Sequence, residues 1–571
     1  MSEPLTVSVR RALLWVFAGQ VVLLCIAAWR NVHQLNTDAV AYLRLAHYYA
    51  NGQTELGVSG YWSPLLVWLV AAGMKLGLEP LACARTVMAV SAAVFFWGGV
   101  AVLRAFKLSE KELIRGAVLL AVASVAWSVR TISPDLLVAG LFCFAVAAML
   151  DGQWLKQEKF AALAGCCWGL AYLAKAVAAP LAVIVGLPLA LLLGAEAGAR
   201  RDALRQLGIM LAAAFVVAMP WMVTISLKYQ KATFSTTARI AHAVAGPGDV
   251  DRYHPFARTF HQPEPGRITA WEDPSRMAYR SWSPFDSAAN FRHQLGVVAG
   301  NLGTELSILG GVNPGGLTEF ARRPGALTAA RALPGLDLCW VGVLALVVSM
   351  WIPALRGGAL VRERWRWAAV PCLGVMAVYL PVFLMREDQR YFCGLLPFLW
   401  VATLGAAGWW LKRRNLEGSK AASRVVSLCF ASFMTLALVW CAASLRGLPN
   451  AASRDAMELA ARMRAAKLSG PIAGHALMQG GRAGLYTAWS LGQPWHGEAA
   501  DPTPRGFRTS GARFAIVVRG SPLEKALEFD PGFRNLDAEI FGSSGPGARR
   551  LCAYEIKPAG AILIARHREA R

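Results

Sequence analysis

The residues able to do chemistry in this sequence are few, and they gather at the ends of apolar runs. Asp38 directly follows the first such run, in Asn36-Thr37-Asp38-Ala39-Val40-Ala41-Tyr42. Asn36 or Thr37 can cap a helix there, which puts Asp38 in its first turn, where the helix dipole favours a negative charge. Tyr42 stands four residues on and shares that helix face. Cations occupy comparable places: Arg85, Lys175 at the end of Gly169-Leu170-Ala171-Tyr172-Leu173-Ala174-Lys175, and Arg390 in Arg386-Glu387-Asp388-Gln389-Arg390-Tyr391. A carboxylate can take the proton that an alcohol or amine loses as it attacks. Arginine in a fork and lysine as a point charge can hold an anionic phosphate as it leaves. The two needs meet in group transfer from a phosphate whose lipid tail lies in the bilayer. Each residue also has a plainer reading: Asp38 as a helix cap, Lys175 as a snorkelling lysine, and Arg390 as half of a surface ion pair with Glu387.

The elements that must position these groups are membrane helices. The chain has 571 residues, of which 56% are hydrophobic and 16% charged. That composition belongs to a polytopic membrane protein with extramembrane parts. The net charge of +23 is read as loop arginines and lysines that orient the protein, not as a nucleic-acid footprint. Apolar runs predict about eleven spans: 12–29, 84–104, 115–129, 135–150, 161–175, 177–194, 207–227, 336–355, 367–384, 393–411 and 425–445. Arg10 and Arg11 precede the first, which reads as a retained anchor with no convincing cleavage site.

The run Ser63–Leu78 decides the topology. Counted as a span, it breaks the charge asymmetry of the later loops. Laid in the outer interface, it leaves Arg104, Lys107, Lys111, Arg200, Arg201, Arg205, Lys412, Arg413 and Arg414 on one side, with few cations in the short turns opposite. The positive-inside rule then puts the N-terminus in the cytoplasm. Pro64 suits the first turn of such a helix and Trp62 and Trp68 suit the interface. Residues 30–83, the turn Thr131–Asp135, the loop 228–335 and everything after about 446 face outward, and so do all nine histidines. The predicted spans carry almost no charge at their middles, whereas transporters need ionisable groups there. Asp38, Arg85, Asp135, Lys175, Glu387 and Arg390 all stand at outer helix ends.

A loop of a hundred residues without structure is unusual unless functional. Within 228–335, Trp271-Glu272-Asp273-Pro274 and Ser281-Trp282-Ser283-Pro284 set tryptophan beside carboxylates or proline, able either to stack on sugar rings or simply to pack the loop. Asp286–Leu309 reads as a helix over the outer face. Beyond 446, helices over Ala451–Lys467 and Arg482–Leu491 alternate with strands at Pro471–Gly474, Phe514–Val518 and Arg549–Lys557. This reads as a small α/β outer domain, 446–571, beside a transmembrane domain, 1–445. The eleven cysteines form no CxxC pair, which argues against a zinc site or disulfide framework. No phosphate-binding glycine loop stands out.

Four segments, in order, resemble the C-type glycosyltransferase superfamily, which includes the dolichyl-phosphate-mannose protein mannosyltransferases and the lipid A aminoarabinose transferase. They are Thr37-Asp38 with the helix ending Ala50-Asn51-Gly52; Trp62-Ser63-Pro64-Leu65-Leu66 through Lys75-Leu76-Gly77; Ser133-Pro134-Asp135 with the segment ending at Lys175; and Arg390-Tyr391-Phe392 followed by Leu396-Pro397. The resemblance implies an inverting transferase that moves a sugar from a polyprenyl-phosphate carrier to a lipid, glycan or protein acceptor on the outer face of the inner membrane. It implies Asp38 as base, Lys175 and Arg390 as phosphate ligands, and Asp135 near the acceptor or a metal. Arg85 is grouped with the phosphate ligands, and Tyr42, Glu387 and Tyr391 with the substrate contacts. Many members have Asp-Glu where this chain has Asp38-Ala39, so that pair does not support a divalent metal there, and the cofactor is left open. Two other readings remain: a flippase or transporter for a lipid-linked sugar, and a non-catalytic envelope-assembly protein.

Overall fold

The computed structural model describes residues 5–248, 254, 259–310, 321–324, 363–381, 389–416, 418–448, 451–475, 482–499, 502–542 and 550–557. The protein is mainly helical. In chain order, α1 is Val7–Arg30, α2 Thr37–Ala50, α3 Thr54–Gly57, α4 Pro64–Lys75, α5 Pro80–Ala105, α6 Glu110–Arg130 and α7 Asp135–Leu150. There follow α8 Glu158–Ala174, α9 Ala178–Ala197, α10 Arg200–Tyr229, α11 Thr237–Val244, α12 Ala288–Gly310, α13 Ala369–Tyr379, α14 Leu396–Arg413 and α15 Lys420–Arg446. Helices stand at every expected span except 336–355, which lies outside the described residues.

Among the described residues, seven helices are long and apolar enough to cross a membrane. They make this a multi-pass membrane protein. Their free faces are apolar: Leu14, Trp15 and Val22 on α1, Phe215 and Val216 on α10, and Leu428, Leu438 and Val439 on α15 are exposed. In water such stripes would be costly; against lipid they are the expected surface. The helix α4 has only 12 residues, about 18 Å at 1.5 Å per residue, and cannot cross a core of about 30 Å. Pro64 opens it, and its buried face, Leu66, Val67 and Val70, packs beneath α2.

Local signals explain the helix starts. Ser109 accepts a hydrogen bond from the Glu112 amide at 3.4 Å and opens α6, and Ser419 does the same for α15 from Ala422 at 3.2 Å. Asn36 behaves differently from the expected cap. It occupies the capping position of α2, but its side chain makes no bond to its own helix. Its Oδ1 instead accepts from the Ile132 amide at 2.9 Å. The side chain thereby ties the start of α2 to the turn between α6 and α7, so Asp38 and Asp135 are brought to one place.

Beyond α15, α16 is Ala451–Ala465, β1 Ile472–His475, α17 Ala483–Leu491, β2 Trp495–Ala499, α18 Pro504–Thr509, β3 Phe514–Val518, α19 Pro522–Glu528, β4 Phe533–Asn535, α20 Asp537–Phe541 and β5 Leu551–Ile556. The five strands form one mixed sheet in the order β2-β1-β3-β5-β4. β1 runs parallel to β2 and β3, and β5 is antiparallel to β3 and β4. The strands β2 and β4 are additions to the sequence expectation. Trp495-His496-Gly497-Glu498-Ala499 is too polar and glycine-interrupted to read as a strand, and β4 has only three residues. The sheet is tied to the outer loop: the Trp495 amide donates to Ile268 O at 2.7 Å, and Phe260 bridges Gly497.

Candidate active site

Four charged side chains meet where α2, α7, α8 and the segment leading into α14 end. Asp38 comes from the first turn of α2. Its Oδ2 accepts from Arg390 Nη1 at 2.9 Å. The Nε of the same arginine lies 3.6 Å from Asp135 Oδ2. On the far side of Asp135, Oδ1 accepts from Lys175 Nζ at 2.5 Å. The groups form a row, Lys175–Asp135–Arg390–Asp38, in which sign alternates. Asp38, Arg390 and Lys175 each keep about a fifth to a quarter of their side-chain surface open, whereas Asp135 is nearly closed at 6%.

Each member is placed by its helix end. Asp135 is the first residue of α7 after Ser133 and Pro134, where exposed backbone amides favour a carboxylate. Lys175 follows α8 with extended backbone, its amide donating to Ala171 O at 2.8 Å. Arg390 is followed by Tyr391, whose ring has Lys175 Nζ 4.1 Å and the Arg390 guanidinium carbon 5.2 Å from its centroid. A cation over an aromatic face is stabilised by the ring quadrupole. Tyr391 therefore holds the two cations apart without neutralising either.

These groups line a cavity of about 450 Å³. Its opposite wall is aromatic. Tyr42 and Trp62 stand with ring centroids 4.8 Å apart, Trp62 and Trp271 4.9 Å, and Tyr61 and Trp271 5.3 Å. His254 packs on Trp271 at 4.5 Å and its Nδ1 lies 2.9 Å from the Tyr279 hydroxyl. Burial, with the nearby Asp38 and Asp135 charges, raises the Tyr42 hydroxyl well above its usual range, so it stays protonated and can only donate or accept a neutral hydrogen bond. Such a lining, of rings and charges together, suits a ligand with both apolar faces and anionic oxygens, as a sugar phosphate has.

The remaining expectations are placed as follows. Arg85 is buried in α5 and is not among the lining residues. Its Nη1 donates to Val129 O at 3.2 Å and its Nη2 to Gln34 O. It clamps the connection between α1 and α2 to the end of α6 through their backbone, a positional reason that a cation near a helix end need not face the cavity. Glu387 lies outside the described residues, and so do Arg386 and Asp388. The carboxylates next to Trp271 turn away from the cavity: Glu272 accepts from Tyr48 and the Ile268 amide, and Asp273 from Tyr229. Only the Trp271 ring of that segment reaches the site. Trp282 packs the loop, donating to His242 O at 2.7 Å. Tyr61, His254, Tyr379 and Arg482 also line the cavity and were not singled out from sequence. They stand far from Asp38 in the chain, and no local spacing marks them. Among the described residues, no group of three or more His, Cys, Asp or Glu side chains comes together as a metal-ligand set.

No protein-family description matches the sequence, and no curated protein does. Solved structures do. The chain is similar to the archaeal oligosaccharyltransferase AglB from Archaeoglobus fulgidus in complex with an inhibitory peptide and a dolichol-phosphate. That match has 12% identity, a TM-score of 0.49, and covers 88% of this chain and 69% of that one. It is similar to ArnT from Cupriavidus metallidurans bound to undecaprenyl phosphate, at 16% identity and a TM-score of 0.47, over 95% and 97% of the two chains. It also matches the mycobacterial arabinofuranosyltransferase AftD, at 14% identity and a TM-score of 0.42, over 97% of this chain and 40% of that one. All three are glycosyltransferases of the C-type superfamily, the one that the four sequence segments resemble.

Proposed function

We propose that this protein is an inverting membrane glycosyltransferase that moves a sugar from a polyprenyl-phosphate carrier to an acceptor at the outer face of the cytoplasmic membrane. One observation carries the reading: Arg390 is shared between Asp38 and Asp135, with Lys175 on Asp135, at the wall of a cavity of about 450 Å³. A partly open cation held between two acids is a site for a third anion. A donor phosphate entering there takes one face of Arg390 and the ammonium of Lys175, while Asp135 keeps both cations oriented.

In the transfer, the acceptor oxygen or nitrogen attacks the anomeric carbon from the face opposite the phosphate. The carbon–oxygen bond to phosphate breaks, and its electron pair leaves on the phosphate oxygen, where Arg390 and Lys175 stabilise the charge. The acceptor's proton passes to the Asp38 carboxylate. No proton need be supplied to the leaving group. Tyr42, Tyr391 and Asp135 line the sugar's berth. Neither of the two acids sits in a three-ligand set for a metal among the described residues, and no step is routed through one. The sheet-bearing segment, 446–571, acts in this reading as an outer domain that closes the cavity over the membrane.

The test uses full-length protein in detergent with a synthetic undecaprenyl-phosphate sugar and envelope extract as acceptor. Transfer by the wild type, absent in Asp38→Asn with undecaprenyl-phosphate binding retained, is the expected result. Undiminished transfer in Asp38→Asn would remove the base assignment.

A further inference from the structure

A second cavity, of about 390 Å³, shares no lining residue with the first. The helices α2, α3, α4 and α10 supply its walls, and three aromatic rings dominate them. Tyr49 of α2 and Trp68 of α4 have ring centroids 6.5 Å apart, and Trp68 and Trp221 of α10 stand 5.8 Å apart, both edge to face. Gly57 fixes the first ring. A Cβ there would meet the Tyr49 ring at 2.7 Å, so the missing side chain lets α3 close on it. On the other side stand Pro220 and Thr224 of α10. Thr224 Oγ1 donates to Pro220 O at 2.8 Å, which satisfies the hydroxyl within its own helix.

The open side faces lipid. α10 is long and apolar enough to cross a membrane. Pro220 and Thr224 are on its exposed face, beside the exposed Met219, Val223 and Leu227, and Trp68 and Leu69 of α4 are exposed as well. The cavity is therefore continuous with the apolar surface that the bilayer covers. Its volume is that of a small-ligand site, and its rings suit a hydrocarbon chain. Among the described lining residues Glu55 alone is charged. It is exposed, in the first turn of α3, and makes no ion pair among the described residues. Lys228, one turn beyond Thr224, does not offset that charge, because its ammonium is held by Asp273 at 2.9 Å and by Val58 O. A polyprenyl phosphate would bring an anion up to this carboxylate, which like charge disfavours. A lipid ending in an ammonium brings the opposite charge.

We infer that this cavity holds one acyl chain of a bilayer phospholipid whose headgroup ends in a primary ammonium, and that Glu55 pairs with that ammonium. The lipid braces α2, which carries Asp38 at its other end, against α4 and α10. It is neither donor nor acceptor, and the site stands whether or not the protein is a transferase.

The experiment takes full-length protein in detergent, washed free of lipid, and adds dioleoyl phosphatidylethanolamine or dioleoyl phosphatidylglycerol. Bound lipid is counted by native mass spectrometry, and unfolding is followed by heating. The wild type is expected to hold one phosphatidylethanolamine about fivefold more tightly than phosphatidylglycerol, as one exposed ion pair allows. It should also melt at a higher temperature with that lipid bound. Glu55→Gln removes the preference, and Glu55→Lys reverses it. Thr224→Phe fills the mouth of the cavity and loses the tightly held lipid of either kind. Glu55 and Thr224 are both exposed, and a melting transition in each variant reports that it is folded. Equal or absent retention of the two lipids by the wild type overturns the ammonium headgroup, and so does an unchanged preference in Glu55→Lys. A lipid kept by Thr224→Phe overturns the cavity as its seat. Displacement of the lipid by undecaprenyl phosphate overturns the inference by giving the cavity to the carrier.

Discussion

Asp38 and Glu272 are both carboxylates beside arginines, yet they are held in opposite ways. Glu272 has no exposed side-chain surface. It accepts from the Tyr48 hydroxyl at 2.8 Å and from the Ile268 and Thr269 amides at 2.9 and 3.1 Å. Arg267 and Arg44 stand 3.5 and 3.7 Å away. Its neighbour Asp273 is equally closed, bonded to Tyr229 at 2.7 Å and paired with Lys228 at 2.9 Å. Asp38 is bonded to Arg390, which it shares with Asp135, and keeps 22% of its side-chain surface open. In the closed network both oxygens of each carboxylate accept hydrogen bonds. It fixes Trp271, whose carbonyl accepts from Trp62 Nε1 at 2.7 Å, and so builds the cavity's aromatic wall. The open row has acceptors and donors to spare. Charge alone does not mark a site; incomplete satisfaction does.

Removing Asp38 should give the largest functional loss with the smallest structural one. A general base contributes roughly 10²–10⁴ in rate. Asp38→Asn should lower kcat by about that factor while the melting temperature stays within a degree or two, as followed by transfer assay and thermal unfolding. A large fall in stability would put Asp38 in the same class as Glu272 and erase the contrast.

Glu272→Ala should do the reverse. Deleting one partner of a buried charge network strands the others and costs about 3–5 kcal/mol. Arg267 is 3% exposed and cannot turn to water. The variant should lose its melting transition or shift it far down, and whatever protein remains folded should lose sugar affinity through a displaced Trp271. Glu272→Gln should fall between, since it keeps the Tyr48 bond and gives up the charge.

Arg390→Lys tests whether sharing depends on the fork. A lysine can meet Asp38 or Asp135, but it cannot present separate nitrogens to both. Undecaprenyl-phosphate affinity should fall by about tenfold, or about 1.4 kcal/mol, measured by direct binding in detergent. Equal affinity in the two proteins would mean that Lys175 alone holds the phosphate.

The architecture was largely legible in the sequence because long apolar runs and loop cations obey strong rules. Charge parity kept Ser63–Leu78 from counting as a span, and α4 has only 12 residues; Asp38, Asp135, Lys175 and Arg390 came from their places at helix ends, which the fold brings together. What was not legible had two causes. Arg85 also stands near a helix end, but one turn inside α5, where carbonyls are nearer than the cavity. Tyr61, His254 and Arg482 reach the site through tertiary contacts that leave no local spacing. Glu272 and Asp273 were read with Trp271 as one possible sugar-binding unit. Backbone geometry splits them: Thr269 and Glu272 form a capping box around a 3₁₀ turn, which directs the ring one way and the carboxylate the other.

The smallest expected effect lies in the pH dependence of the outer sheet. Burial pushes the Glu498 carboxyl up to about 7, against the pull of Arg482. The folded protein therefore holds a proton there that the unfolded chain, with a carboxyl near 4.3, has already released. Between those two values the folded state binds more protons, so this group's contribution to stability falls as pH rises from about 4.3 to about 7 and is constant above. Buried histidines such as His496, whose imidazole is shifted down, contribute the opposite slope, and the total curve mixes both. The difference between wild type and Glu498→Gln isolates one of them. Glutamine carries no charge at any pH, so the variant should gain on the wild type in melting temperature between pH 5 and pH 8, by a few degrees at most. A constant difference across that range would mean that Glu498 is ionised in the folded protein throughout, held so by Arg482.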